Sequence, residues 1–294
     1  TMNSTMSISN KIIDNVIINN VIINNVIIDD LLIDIIDLVH INDLQELSNC
    51  NVLLNDIIHE PKFIQKSVPN DIVRSVNDGN FNDALVAATR SGHLEICKYL
   101  VEQGATNLNH VLYHASSSGH LEICKYFVSL GATNFNEALL NAACKYNLEI
   151  CKYLVSLGAT NLNRALEYAA YGDLEICKYL VSLGATDFNK ALCGAAKGGD
   201  LEICEYFVSL GATNFNNALV SAALYGQLEI CKYMISLGAT NFNNALKCAS
   251  RGDLEICKYL VSLGANNFDE ALVRTPYHTR IYLTEQKRLY KLNN

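Results

Sequence analysis

The chain has 294 residues, of which 50% are hydrophobic and 18% charged, and its formal net charge is −8. This composition allows a substantial buried core, and the acidic balance provides no basic field to attract nucleic acid or an anionic membrane surface. No apolar run of about 18 residues occurs and the polar start does not resemble a signal peptide, so we expect no membrane association.

The first segment, residues 1–79, opens with low-complexity sequence. Within residues 12–30 the pentapeptides V-I-I-N-N, V-I-I-N-N and V-I-I-D-D follow one another. Isoleucine and valine favour strands, but a period of five matches neither a strand nor a helix. We therefore assign no secondary structure to this tract and expect it to lead into the next segment.

Residues 27–58 resemble an F-box, whose pattern is L-P-x-E-I-L-x-x-I-L-x-x-L, a short loop and then D-L-x-x-L. The matching apolar residues are Leu31, Leu32, Ile35, Ile36, Leu44 and Leu47. Ile28 stands where the family has proline. The resemblance implies docking to the adaptor of a cullin-type ubiquitin ligase. The alternative is a helical pair that shields the first repeat from solvent.

From residue 80 to residue 274 one unit recurs along the chain. Its most uniform part begins at Leu94, Leu121, Leu148, Leu174, Leu201, Leu228 and Leu254, spaced by 27, 27, 26, 27, 27 and 26 residues. A fixed period of this length indicates stacked structural repeats, in which each unit buries its apolar face against its neighbours. The sequence therefore predicts seven repeats.

Each unit contains two predicted helices. The first, helix A, has the pattern N-F-N-x-A-L-x-x-A-A, and the Asn or Asp three residues before its Leu is a predicted N-cap. These residues are Asn82, Asn109, Asn136, Asn163, Asn189, Asn216, Asn243 and Asp269. The second, helix B, reads L-E-I-C-K-Y-L-V-S-L and ends at a glycine such as Gly158. A short turn, usually with glycine, joins them.

The segment "EALLNAACKYNLEICKYLVSLGA" (137–159) resembles the helical part of an ankyrin repeat, and "GHLEICKYL" (92–100) matches the start of its second helix. His93 and His120 match the turn histidine of that family. The Thr-Pro of the family is missing, and the period is about six residues short of the usual 33, where the family builds its projecting finger. The units are similar to short ankyrin-like repeats encoded by large DNA viruses.

The resemblance implies an all-α, ankyrin-like helix-turn-helix solenoid with helical caps at both ends. It also implies a non-enzymatic scaffold that binds a protein partner, which would be a host protein in the host cytoplasm if the chain is viral. We expect a monomer. We also expect it in the cytoplasm, since eleven cysteines without a close CxxC pair suit a reducing compartment.

Every helix B carries one cysteine: Cys97, Cys124, Cys151, Cys177, Cys204, Cys231 and Cys257. A metal array, a redox relay and a packing requirement would all leave this pattern. Helices of neighbouring repeats pack about 8–10 Å apart, whereas a disulfide needs Cα atoms within about 7 Å and zinc needs thiolates at about 2.3 Å. We therefore predict buried, unbridged thiols, and neither a metal nor a cofactor.

No catalytic constellation stands at an unrepeated position, so we predict no enzyme. His110 and His114 lie one helical turn apart but lack the glutamate of an H-E-x-x-H motif and a third ligand. We interpret them as two surface histidines rather than metal ligands.

Helix A varies among the repeats at four positions on one face, −2, +1, +2 and +5 from its Leu, whereas helix B is nearly constant. A variable surface on a repeated scaffold is typical of a modular binding face. The alternative is that exposed positions drift while helix B preserves a recent duplication. The predicted partner-binding residues are Asp83, His110, Tyr113, His114, Glu137, Asn141, Arg164, Tyr168, Lys190, Lys197, Asn217, Asn244 and Lys247.

The last segment, residues 275–294, is the predicted C-terminal cap. Pro276 is expected to break the helix A of a partial eighth unit. The basic residues that follow are Arg280, Lys287, Arg288 and Lys291. We interpret them as part of a polar cap, with a local site for an acidic partner as the alternative.

Overall fold

The structure is a computed structural model that describes residues 70–293, all of which belong to one compact unit. Within this range all regular secondary structure is α-helix, which confirms the predicted all-α class. The pentapeptide tract and the F-box-like residues 27–58 lie outside the described residues, so both interpretations stay predictions. None of the described helices is both long and apolar enough to cross a membrane.

Successive helix pairs follow a short first helix, α1 (Asn70–Asn77). The helices A are α2 (Phe81–Ser91), α4 (Leu108–Ser118), α6 (Phe135–Cys144), α8 (Leu162–Ala169), α10 (Phe188–Gly198), α12 (Phe215–Leu224) and α14 (Phe242–Ala249). The helices B are α3 (Leu94–Glu102), α5 (Leu121–Ser129), α7 (Leu148–Ser156), α9 (Leu174–Ser182), α11 (Leu201–Ser209), α13 (Leu228–Ser236) and α15 (Leu254–Ser262). The chain continues with α16 (Phe268–Ala271) and α17 (Tyr277–Asn293).

The core is built from small residues of helix A and larger ones of helix B. In the pair α6 and α7, helix A buries Leu139 with three alanines, and helix B buries Ile150, Cys151 and Leu154. The alanine side chains of helix A are small, so consecutive helices A lie against each other along their length. Consecutive helices B contact each other at few residues. We call the helices A the inner row and the helices B the outer row.

The start of helix A differs from the prediction. Each helix begins one residue before the expected N-cap, so Asn82, for example, lies inside the first turn of α2. The residues at the cap position are Asn80, Asn107, Asn134, Asn161, Asp187, Asn214 and Asn241. The predicted capping role is therefore wrong, and the recurring asparagine has another function.

That asparagine joins each repeat to the next. The side-chain oxygen of Asn163 accepts hydrogen bonds from the backbone N–H groups of Thr186 at 2.7 Å and Asp187 at 3.0 Å, in the loop that leads into the following helix A. The same pair of bonds recurs in every described repeat. We call this set the asparagine ladder: Asn82, Asn109, Asn136, Asn163, Asn189, Asn216 and Asn243.

The turn between helices A and B contains a second set of links. Asp173 caps its own helix B by accepting from the N–H of Ile176 at 2.7 Å. Asn147 instead donates from its side-chain amide to the Ser116 carbonyl of the preceding repeat at 2.9 Å. The His120 ring bonds a carbonyl of the preceding repeat in the same way, at 3.1 Å, which supports the structural role predicted for it.

The helix A of the partial eighth unit ends before Pro276, the residue at which the sequence predicts a break. The helix A of the partial eighth unit is reduced to α16, which ends at Ala271, and α17 begins directly after the proline. Leu283 of α17 is fully buried, and the rings of Phe268 and Tyr290 lie 6.0 Å apart. Helix α17 therefore covers the end of the last helix pair.

Candidate partner-binding face

The inner row exposes one side chain from the first turn of every described helix A. These residues, at position −2, are Asp83, His110, Glu137, Arg164, Lys190, Asn217 and Asn244, and all of them are exposed. They include both charges, two amides and an imidazole, so the first five repeats and the last two present different chemistry at the same place, with asparagine in both of the last two. The structure thus exposes these seven residues of the predicted binding set.

The other predicted binding residues on this face differ in exposure. Tyr113 and Lys247, both at position +1, are exposed, whereas Asn141, Tyr168 and Lys197 are half-buried. At position +2, His114 and Gly194 approach the helix A of the preceding repeat, which partly covers this position.

Among the predicted binding residues, His114 alone is buried, with 9% of its surface exposed. The Arg90 Nε donates to His114 Nδ1 at 3.3 Å, and the rings of His110 and His114 lie 4.7 Å apart, edge to face. Burial, with the charges of Arg90 and His110, lowers the pKa of His114 to about 4. The interpretation as two surface histidines is therefore correct for His110 and wrong for His114, which packs against the preceding repeat.

A cleft of about 360 Å³ lies beside this cluster, between α1, α2 and α4. Its lining residues are Asp71, Ser75, Asp83, Val86, Ala87, Arg90 and His110. Acidic side chains on one side and Arg90 with His110 on the other give the cleft a polar and electrically mixed wall. It extends the inner row toward its N-terminal end.

Side chains at the ends of helices A and in the following turns form a further group, most of which the sequence pattern did not single out; Tyr171 and Lys197 are half-buried and the others are exposed. Tyr225 and Tyr146 expose 54% and 44% of their surfaces, and the Lys197 ammonium lies 5.6 Å from the centre of the Tyr171 ring. Position +5 is variable in sequence, but only Lys197 was selected from it. We call this group the A–B edge: Arg90, Lys145, Tyr146, Tyr171, Lys197, Tyr225 and Arg251.

The outer row is uniform and largely self-paired. Lys125 and Glu122 are 2.6 Å apart, and equivalent pairs three residues apart recur on α3, α7, α9, α13 and α15 at 2.7 to 3.2 Å. Exposed pairs of this kind contribute little to stability. The outer row therefore presents nearly the same surface in each repeat, with its charges already neutralised in pairs.

The seven helix B cysteines are fully buried and unbridged, as predicted. Burial raises the pKa of Cys124 to about 11 and those of the other six to about 12. A thiol with so high a pKa carries almost no thiolate near neutral pH and is a poor nucleophile and metal ligand. Within residues 70–293 no three His, Cys, Asp or Glu side chains converge on a metal position.

Comparison with known proteins gives one family. A family model described as "Ankyrin repeats (3 copies)" matches residues 49–137, 112–191 and 192–270, which together span well over half of the chain. No curated protein matches the chain.

Proposed function

Because the chain belongs to the ankyrin repeat family, we propose that it is a non-enzymatic scaffold that binds a partner protein through the exposed residues of its inner row. Ankyrin repeats support protein–protein interaction in general. The observation that favours the inner row is a contrast between two exposed surfaces: six residue types occur among the seven repeats at position −2, whereas the exposed residues of the outer row are nearly unchanged.

The outer row argues against exposure as the sole cause of this contrast. Glu122, Glu149, Glu175 and Glu229 of the outer row expose between 70% and 74% of their side chains, yet all four are glutamate. Exposure alone therefore does not make a position vary in this chain. Variation is concentrated where the helices A present a continuous surface, which is the surface that a stacked-repeat protein offers to a ligand.

Affinity capture with two matched variants tests this proposal. The inner variant carries Glu137→Ala, Arg164→Ala, Lys190→Ala and Asn244→Ala, whereas the outer control carries Glu149→Ala, Lys152→Ala, Lys178→Ala and Lys232→Ala. Both remove exposed side chains, and circular dichroism verifies that both fold. We expect proteins captured by the wild-type chain to be retained by the outer control and reduced at least about tenfold with the inner variant.

Equal capture by the inner variant and the wild-type chain, with loss in the outer control, would show that binding uses the outer row. In that case the variation of helix A reflects drift, and the proposal is wrong. The same capture from host cells identifies the partner and tests whether it is a host cytoplasmic protein.

A second function rests on the F-box-like residues 27–58, which lie outside the described residues. We propose as the alternative that this segment docks a ubiquitin-ligase adaptor while the inner row holds a target. Its support is the pattern Leu31, Leu32, Ile35 and Ile36 followed by Leu44 and Leu47. Deletion of residues 1–60 should abolish capture of cullin adaptors and leave the inner-row partner bound. If cullin adaptors remain bound after the deletion, this alternative is wrong.

A further inference from the structure

The A–B edge carries cations that lack an ion pair. Within residues 70–293, Arg90, Lys145, Lys197 and Arg251 have no carboxylate at ion-pair distance, whereas each outer-row lysine is paired with a glutamate. Arg90 contacts His114, and Lys197 contacts the ring of Tyr171. Other described cations, such as Arg164 and Arg280, also have no ion pair within residues 70–293, but on the A–B edge the unpaired cations recur at the ends of four helices A in a chain with net charge −8.

Carboxylates do lie near this edge, but they are directed elsewhere. Asp173, Asp200 and Asp253 are half-buried at the starts of helices B, where they accept backbone N–H groups at 2.7 to 3.0 Å. These N–H groups form the positive end of the helix dipole and offset part of each carboxylate charge. Arg90, Lys145 and Arg251 are thus left exposed, whereas Lys197 is half-buried beside the ring of Tyr171.

Stabilisation of helix A is the simplest other role for these cations. Lysine or arginine near a helix C-terminus can hydrogen-bond the last carbonyl groups. None of Arg90, Lys145, Lys197 and Arg251 makes such a bond in the described residues, and Gly92 and Gly199 supply backbone caps for α2 and α10. The cations therefore contribute no hydrogen bond to helix termination, although Arg90 and Lys197 lie in the last turns of their helices.

The spacing of the cations suits an extended chain. They lie in the first, third, fifth and seventh helix pairs, so neighbouring cations are about 16–20 Å apart when helices pack at about 8–10 Å. Because an extended peptide rises about 3.3 Å per residue, this distance corresponds to about five or six residues. Tyr146, Tyr171 and Tyr225 lie among the cations, and tyrosine and arginine are the residues that dominate binding surfaces.

Nucleic acid fits this arrangement less well. A strand of DNA presents a phosphate charge about every 3.4 Å, and proteins that bind it neutralise several adjacent phosphates. The A–B edge offers isolated cations on an acidic chain. Carboxylates separated by apolar residues match both the spacing and the tyrosines.

We infer that the A–B edge is a docking surface for an extended acidic peptide of about 16–18 residues, in which carboxylates recur about every six residues with aromatic or aliphatic residues between them. This inference rests on the proposed scaffold function and names the chemistry of the partner segment. It also shifts the centre of binding away from the loops joined by the asparagine ladder, which are nearly identical in sequence and already bonded to one another.

Selection from a random 16-residue peptide library displayed on phage, with the full chain as bait, tests the inference. We expect enriched peptides to be rich in Asp and Glu at this spacing, with Tyr, Phe or Leu between them. Their synthetic fluorescein-labelled forms are then titrated by fluorescence anisotropy. A dT20 oligonucleotide is titrated in parallel, and tighter binding of dT20 than of the peptides would overturn the choice of partner.

Two triple variants with the same change in charge localise the site. Arg90→Gln, Lys197→Gln and Arg251→Gln alter the A–B edge, whereas Lys125→Gln, Lys178→Gln and Lys258→Gln alter the outer row. We expect Kd to rise at least tenfold in the edge variant, to stay within about twofold in the control, and to rise with salt in the wild-type chain.

The outcomes separate this inference from the proposed function. Enriched peptides that are neutral or basic, or that bind the edge variant as well as the wild type, overturn the inference. If these peptides nevertheless bind the inner variant described above more weakly than the wild-type chain, the proposed scaffold function stands and only the inference is overturned. Failure to enrich any peptide overturns the inference alone, because capture of a folded partner tests the scaffold function independently.

Discussion

A cysteine occurs in every helix B because its position accepts a small apolar side chain. The seven residues are fully buried, and two of them contact a hydroxyl group of helix A: Cys97 lies 3.6 Å from Thr89 and Cys124 lies 3.6 Å from Ser116. Free cysteine is among the most buried residue types and behaves as a small hydrophobic group. The recurring thiol therefore reflects packing.

Thiol labelling measures this burial. We expect the seven helix B cysteines of a Cys50→Ser variant to react with DTNB at pH 8 at least about a hundredfold more slowly than free cysteine, because their pKa values are raised to about 11 or 12. Exposed Cys144 should react quickly and serves as the internal control. Rapid labelling of all cysteines without denaturant would show that the helices B are open to solvent.

His114 makes stability depend on pH. Because its pKa in the fold is about 4, below the usual 6.5, the unfolded chain binds more protons in this interval, and stability is lost as the pH falls from 6.5 toward 4. Protonation would also place a second cation beside Arg90 and near His110. This buried imidazole is therefore a source of acid sensitivity.

Urea unfolding at several pH values tests this role. Between pH 7 and pH 4.5, we expect the free energy of unfolding to fall about 1–3 kcal/mol further in the wild type than in His114→Gln, which lacks the titrating group. His278→Gln, on an exposed histidine of α17, should retain the wild-type dependence. Identical pH profiles for His114→Gln and the wild type would contradict the linkage.

At the scale of elements, the asparagine ladder holds neighbouring helix pairs in register. Each side-chain oxygen accepts two backbone N–H groups of the next loop, those of the N-cap residue of the following helix A and of the residue before it, such as Asn214 and Thr213. Side-chain bonds between repeats thus take the place of a longer connecting structure. The period of 26 or 27 residues is compatible with a stable stack for this reason.

One link of the ladder can be removed selectively. We expect Asn189→Ala to lower the free energy of unfolding by about 1 kcal/mol, because the N–H groups of Thr213 and Asn214 lose their acceptor at 2.9 Å. Asn189→Asp keeps an acceptor and should lose less. The control is Asn217→Ala, which removes an exposed side chain outside the ladder. If this control lowers the free energy of unfolding as much as Asn189→Ala does, the ladder bonds of Asn189 have no special role.

Local sequence patterns predicted the helices but not their contacts with neighbouring repeats. The 27-residue period, the apolar spacing and the turn glycines are local, so the all-α class and the buried cysteines followed from them. The role of Asn82 and its equivalents depends on the loop of the next repeat, about 24 residues away. An asparagine near a helix start fits a cap equally well, and only the packing of two repeats distinguishes the alternatives.

The candidate site shows the same limit. A helical projection places His110 and His114 on one face, and that face is exposed at position −2 but partly covered at position +2. At Gly194 an added Cβ would lie 2.6 Å from the Glu167 carbonyl oxygen, which shows how closely α8 and α10 approach. The distance between two helices A varies with the residues of both, so one helix alone does not reveal how deeply position +2 is buried.

At the scale of the whole repeat stack, stability depends on covering the last helix pair. Helix α17 buries Leu283 and brings Tyr290 beside Phe268, while other apolar residues of α17 such as Ile281 and Leu292 face solvent. Because each repeat contacts only its neighbours, loss of this cap should act locally.

Hydrogen exchange of a chain that ends at Arg274 tests this locality. We expect backbone amides of α15 to exchange at least about tenfold faster than in the full chain, because their packing against α17 is lost. Amides of α7, several repeats away, should be unchanged and provide the reference. Uniform acceleration across all helices would indicate that the stack unfolds as one cooperative unit.

The asparagine ladder also bears on how such a chain changes its length. Since each junction uses the same residue and the same two bonds, a gene segment that encodes one unit can be duplicated or deleted by recombination between copies without creating a mismatched joint. The segment "LEICKYLVSLGAT" is identical at 148–160 and 174–186, as expected of units copied in this way. The inner row would then lengthen or shorten by one helix, and the reach of its ligand would change in steps of about 10 Å.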